Sequence, residues 1–205
     1  MRLTVVRHGE TKQNKAKIIQ GHRPGELSEL GETQARALAK RLSNLHFDSI
    51  YCSDLKRTKD TLAPLLEISQ KQSNLTYTEA IREKCYGEFE DRPVDEFLQH
   101  LAERRETRFS YRPKDGENYV DAYERGAQFI EKIRPMHESE SVLIVSHGGF
   151  IRTLLAGLLG QPMDYFFRFP IQNTSISEVL IPKNKKTGVA VRINCLGHLS
   201  PSQFT

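Results

Sequence analysis

The chain has 205 residues, 38% hydrophobic and 27% charged, enough apolar mass for one ordinary globular core and a composition that excludes disordered, collagen-like and coiled-coil chains. Thirty Lys+Arg against 26 Asp+Glu leave a net charge of +4, a mild excess compatible with any anionic partner, so its placement matters more than its sign. Three cysteines without paired spacing argue against a disulfide framework, and no apolar stretch reaches the length of a signal core or a membrane span, so a cytoplasmic protein with no membrane partner is expected.

In chain order, Leu3 to Val6 is a short apolar run that ends at the polar stretch Arg7-His8-Gly9-Glu10-Thr11, the pattern of a buried strand feeding a loop. Ala35, Leu38, Leu42 and Leu45 recur at helical spacing, with Ser28 as N-cap candidate and Glu29 in the first turn. Ser49 to Cys52 predicts a second strand and Asp54 to Ile68 a helix that Pro64 should kink or end early. Residues 80–115 carry much charge and little period, although Val94 to Arg105 fits a helix over the open face, a cap of about residues 90–115. Val120, Tyr123, Ala127 and Ile130 form a further helical stripe. Val142 to Val145 is an almost pure β run stopped by Ser146-His147-Gly148-Gly149, and Ile151 to Leu159 resumes as an apolar helix closed by Gly160 and Pro162. Ile176 to Ile181 and the alternating Val189, Val191, Ile193 and Cys195 read as a hairpin joined through Lys183 to Gly188. Strands alternating with helices, without repeats or linkers, predict one α/β domain over residues 1–205: a three-layer α/β/α fold with a mostly parallel central sheet and a ligand crevice at the carboxyl ends of the strands.

Two histidines share one setting. His8 and His147 each follow a predicted buried strand and precede a glycine, which puts both at the crevice where backbone N–H groups can approach an anion. His147 also precedes a helix, whose N-terminus attracts negative charge. Ser53-Asp54-Leu55-Lys56-Arg57-Thr58 follows the strand predicted at Ser49 to Cys52 and brings Arg57 to the same edge as Arg7. Two arginines and two histidines around one crevice suit a phosphate, because the guanidinium fork matches phosphate oxygens and stays charged.

Arg7-His8-Gly9-Glu10-Thr11 with Asn14, then Ser53 to Thr58, Glu83 in Arg82-Glu83-Lys84-Cys85-Tyr86-Gly87, and Ser146-His147-Gly148 together resemble the motif set of the histidine phosphatase superfamily, also called phosphoglycerate mutase-like, across nearly the whole chain. Ile18-Ile19-Gln20-Gly21, the Glu83 motif and Asn194-Cys195-Leu196-Gly197-His198-Leu199 are most similar to its fructose-2,6-bisphosphatase branch. The resemblance implies the phosphoglycerate mutase-like fold and metal-independent phosphatase activity on a small phosphorylated metabolite, fructose 2,6-bisphosphate first, without a cofactor or metal. It implies that His8 is a nucleophile phosphorylated on a ring nitrogen, that Arg7, Arg57 and His147 surround the phosphoryl group, and that Glu83 is the general acid. Asn14 and the backbone of Gln20, Gly21 and Gly148 would add contacts. Tyr86 is either a substrate wall or a core aromatic, and Asn118 stands where many relatives have Ser or Thr, so that hydroxyl's contact is in doubt although Asn can cap the next helix. Among Arg104, Arg105, Arg108, Arg112 and Lys114, a solvated face is the ordinary role, but some could reach a second phosphate.

Rival readings have weaker support. Cys52 to Arg57 is one residue short of a cysteine phosphatase loop, and no His, Asp or Asn pattern suggests a metal pair. A basic stripe interleaved with exposed aromatics, as nucleic acid would need, is missing. A phosphoglycerate mutase remains the alternative, with a non-catalytic phosphoprotein-binding module behind it; the short middle and the absence of Trp favour hydrolysis. Oligomeric state is not readable.

Overall fold

A computed structural model describes residues 1–69 and 73–204. Six strands form one sheet in the order β3-β2-β4-β1-β5-β6: β1 (Arg2–Arg7), β2 (Ser49–Ser53), β3 (Asn74–Thr78), β4 (Ser141–Ser146), β5 (Ile176–Leu180) and β6 (Val189–Cys195). The four strands from β3 to β1 are parallel, and β5 and β6 add antiparallel neighbours. The central strands are apolar without alternation because both faces are covered. Leu3, Val5, Val142 and Ile144 pack beneath α5 (Tyr119–Ile133) and α6 (Gly148–Leu158). Val6, Leu143 and Val145 pack beneath α2 (Glu29–Leu42) and α3 (Lys56–Ile68), which makes the three layers. Each such fully buried aliphatic side chain contributes about 1.5–3 kcal/mol, so this sheet fixes the strand ends firmly.

The one-turn α1 (Lys12–Lys15) and α4 (Val94–Arg104) contribute to neither of these two layers. Phe97 and Leu101 of α4 join Ile19 and Phe89 in a small separate core with Tyr86, Val94 and Tyr111 at its edge. Residues 105–118 follow this helix without forming another.

Several boundaries differ from the sequence expectation for physical reasons. Ser28 caps α2 by accepting the Gly31 N–H, but the helix ends at Leu42 and Leu45 is exposed. Helix α3 starts at Lys56, and it runs through Pro64 because Leu62 and Leu65 on either side are anchored against β2, β4 and α2. The buried stripe of α5 is Tyr119, Ala122, Gly126, Phe129, Ile130 and Ile133, so the predicted stripe is displaced by about one residue and Ala127 faces solvent. Gly126 faces Phe150 and Leu154 of α6, which a Cβ there would meet at 3.4–3.6 Å, an ordinary contact. Helix α6 already begins at Gly148. Strand β3 has no apolar run to announce it, being an edge strand of sequence Asn-Leu-Thr-Tyr-Thr.

Candidate functional site

The parallel register brings the motifs together. Arg7 of β1 is level with Ser146 of β4, and Cys52 of β2 with Val145, so His8, Ser53 and His147 emerge at one edge. His8 is almost completely buried, with its N–H on the Ser146 carbonyl (2.9 Å) and its own carbonyl held by Asn173 Nδ2 (2.9 Å). Its Nδ1 lies 2.7 Å from the Gly9 carbonyl, which can only accept; Nδ1 therefore carries the proton, and Nε2 keeps a free lone pair. Burial first, then Arg57 and Arg7, hold the His8 pKa well below its ordinary value, so the ring is neutral at neutral pH.

His147 stands with its ring centroid 5.2 Å from that of His8. Arg57 Nε donates to His147 Nδ1 (3.1 Å), which leaves the proton on Nε2 to donate to Ser53 Oγ (2.8 Å). The rest of the Arg57 fork holds the loop above it, donating to the carbonyls of Gly21 (2.8 Å), Arg23 (2.5 Å) and Pro24 (3.4 Å). Arg7 donates from Nη1 to the Ile171 carbonyl (2.8 Å), while its buried Nε has no partner. Burial lowers the pKa of both arginines to about 10, which still leaves them charged at neutral pH. The site is thus a buried, doubly cationic pocket with a neutral nucleophile candidate, a strongly anion-seeking arrangement.

The N-terminus of α6 is occupied from within the chain. Glu83 Oε1 accepts the N–H groups of Phe150 (2.8 Å) and Lys84 (2.9 Å), and Oε2 accepts that of Gly149 (2.9 Å). The anion drawn to this helix end is therefore the Glu83 carboxylate. Gly149 makes room for it, since a Cβ there would lie 2.5 Å from Glu83 Oε1, and Gly148 makes room for Arg7, whose Nε would lie 3.1 Å from a Cβ. Arg82 does not pair with Glu83; it forks onto Asp54 and also meets Glu79.

Of the other predicted residues, Asn14 caps α1 with Thr11 and accepts from Asn173 Nδ2 (3.4 Å), which links it to the His8 carbonyl's partner. Gln20 is buried with its Oε1 unpartnered, and Gly21 lies over Arg57. The Tyr86 hydroxyl meets that of Tyr119 at 3.0 Å, and its ring packs edge-on against Phe97, the surroundings of a core aromatic. Asn118 caps α5 through the Asp121 N–H, the role open to it from sequence. Arg104, Arg105, Arg108, Arg112 and Lys114 are exposed; Arg112 pairs with Asp121, while Arg108 acts electrostatically on Tyr86 and Tyr119. Cys52 is buried with its thiol pushed up to about 12, a poor nucleophile.

Sequence reasoning missed two groups. Arg125 donates to the carbonyls of Ala80 (3.1 Å), Arg82 (2.9 Å) and Glu83 (3.3 Å), and forms a two-bond pair with Glu117. Glu117 in turn accepts the Cys85 N–H (2.9 Å), and His22 Nε2 donates to the Glu83 carbonyl (2.9 Å). An arginine in mid-helix carries no sequence signal for such a clamp. The second is Lys84, completely buried with its Nζ lacking any hydrogen-bond partner.

Comparison with known proteins gives a consistent result. Residues 3–194 match the model of the histidine phosphatase superfamily, branch 1. The chain is 32% identical to a broad-specificity phosphatase of Saccharomyces cerevisiae, over all of this chain and 90% of that protein. It is 34% identical to the fructose-2,6-bisphosphatase TIGAR of Mus musculus, over 96% of this chain and 72% of that one. The crystal structure of the alpha-ribazole phosphatase from Shigella flexneri superposes with a TM-score of 0.84 at 29% identity, covering 95% of this chain and 96% of that chain. Among the described residues no helix is long and apolar enough to cross a membrane.

Proposed function

The chain belongs to the histidine phosphatase superfamily and is a phosphatase, and from that premise we propose that it hydrolyses a small phosphorylated metabolite through a phosphohistidine on His8. The observation that carries this reading is the His8 ring itself, neutral, with Nδ1 fixed on the Gly9 carbonyl and Nε2 free beside two buried arginines. Nε2 attacks phosphorus, and the bond from phosphorus to the alcohol oxygen breaks. Arg7, Arg57 and His147 offset the charge on the equatorial oxygens, with the unpartnered Arg7 Nε a ready donor. Asn14, the Gln20–Gly21 loop and the Gly148 N–H contribute further contacts.

The departing oxygen takes a proton from Glu83. Oε2 is the better carrier, because it accepts one N–H whereas Oε1 accepts two. The carboxyl acts as an acid once the phosphate dianion is bound beside it, which opposes ionisation. Water then attacks the phosphohistidine and returns a proton to Glu83, the bond from Nε2 to phosphorus breaks, and inorganic phosphate leaves. Residues 1–205 work as one catalytic unit, with the cap of about residues 90–115 closing over the strand ends.

The mouse relative is named for fructose 2,6-bisphosphate, which makes that ester the first candidate, with phosphoglycerates and other sugar phosphates next. Phosphate release from a panel of these esters, measured in chelator with wild type, His8→Ala and Glu83→Gln, tests the reading. Loss of release in His8→Ala is expected; release that survives it unchanged would overturn the mechanism.

A further inference from the structure

We propose that Gln34 is a positioning residue for the nucleophile, the middle link of a chain of three amides that ties the His8 ring to the Gln203 carbonyl; this rests on the phosphohistidine reading above and goes beyond the ring's own bond to Gly9. His8 Nδ1 donates to the Gly9 carbonyl (2.7 Å). That carbonyl belongs to the peptide group whose N–H is on Glu10, and this N–H donates to Gln34 Oε1 (2.9 Å). Gln34 Nε2 donates in turn to the Gln203 carbonyl (2.8 Å). The side chain is completely buried. Its partners leave the amide one orientation, because a backbone N–H must meet the oxygen and a backbone carbonyl the nitrogen.

The surroundings hold the chain in place. The Gly9 N–H donates to Thr61 Oγ1 of α3 (2.9 Å), and the Ser28 N–H at the head of α2 donates to the Glu10 carbonyl (2.9 Å). A Cβ on Gly31, one turn before Gln34, would run into the Glu10 carbonyl oxygen, so α2 packs directly on the Gly9–Glu10 backbone. At the far end Gln203 closes the single turn Pro201–Gln203, where its Oε1 accepts the N–H (2.8 Å) and the hydroxyl (3.1 Å) of Ser200. The three amides point head to tail, and hydrogen bonds arranged in this way polarise one another, which makes the Gly9 carbonyl a stronger acceptor than an isolated peptide. When Nε2 bonds to phosphorus the ring gains positive charge and its Nδ1–H becomes a stronger donor. The proton stays on Nδ1, and the ring is neutral again once the bond from Nε2 to phosphorus breaks. The chain is therefore worth more in the transition state than in the free enzyme, which places its effect in kcat.

The test reads the tautomer and the rate together. Nitrogen NMR of the free enzyme with isotope-labelled histidine should show the wild-type His8 ring protonated on Nδ1 alone. In Gln34→Met, which fills the same space without either bond, the form protonated on Nε2 should appear beside it. The same variant should lose about five- to tenfold in kcat, the weight of one buried hydrogen bond, with KM within about twofold. The loss should be equal on alkyl and p-nitrophenyl phosphates, unlike that of a residue acting through the acid. Gln34→Glu should recover most of it, because a carboxyl buried against a carbonyl takes up a proton and then both accepts and donates. Truncation before Pro201 removes the Gln203 carbonyl without touching the buried position, and it should shift the tautomer in the same direction by a smaller amount even if Gln34→Met does not fold. A His8 tautomer unchanged in the variants, or a loss of kcat with the tautomer unmoved, would overturn the role of Gln34. The phosphohistidine reading fails separately, through hydrolysis that survives His8→Ala, whatever the tautomer.

Discussion

His8, Ser53 and His147 stand at the ends of three parallel strands, where sheet register sets their spacing. Glu83, Lys84 and Tyr86 belong to a stretch with little regular structure, fastened by Arg125, Glu117 and His22. The first region draws its precision from backbone hydrogen bonds and a two-sided apolar core; the second draws it from side chains that bond to carbonyl and N–H groups. A strand end can be disturbed only by disturbing the core, whereas the acid can be loosened by one substitution far from the chemistry. Two parts of one site are thereby held in place by different kinds of bond.

The largest expected effect lies in the strand-end region. His8→Ala should lower kcat by about 10⁴-fold or more, since the covalent path is lost entirely; an acid-quench phosphate assay checks this. Arg57→Ala should cost about 10²–10³-fold in kcat, the scale of losing a preorganised charge donor. It should also lower the melting temperature, because the Gly21, Arg23 and Pro24 carbonyls lose their common anchor. If Arg57→Ala left both unchanged, the strand-end account would be wrong.

In the second region the effects should depend on the leaving group. Glu83→Gln should cost about 10²-fold on alkyl phosphates and less than about tenfold on p-nitrophenyl phosphate, whose alcohol departs without a proton. Arg125→Met should show the same leaving-group dependence at about tenfold, with partial recovery in Arg125→Lys, because it moves the acid without removing it. A uniform loss on both substrates would mean that Arg125 only supports the fold. The smallest effect concerns pH. Since His8 is held well below its ordinary 6.5 by burial and by Arg57 and Arg7, it stays deprotonated as pH falls from 7 to 6. After dividing out the substrate's own ionisation near pH 6, kcat/KM should hold within about twofold over that range.

The same division explains what the sequence made legible. Buried parallel strands leave unbroken runs such as Val142 to Val145, and the residues after them are contiguous in the chain, so the His8, Arg57 and His147 edge could be read directly. The helix at Val94 fitted its sequence despite the weak period of that stretch, though its contacts were not legible. Edge strand β3 was hidden because exposed Thr and Tyr leave no apolar signal, and the face of α5 was misassigned because Gly126 and Ala122, rather than large residues, point inward. Glu83 was found through its motif, yet its seat on α6 depends on Gly149 and on an arginine more than forty residues away, a relation no local pattern encodes. Nothing in the sequence marks Lys84 for burial, and only the fold buries it.

The most direct test of the account is to trap the intermediate. Glu83→Gln, exposed briefly to p-nitrophenyl phosphate, whose alcohol departs without a proton, and quenched in base, should carry a base-stable, acid-labile phosphate that peptide mass spectrometry places on His8. Phosphate on any other residue, or undiminished phosphate release by His8→Ala, would contradict it.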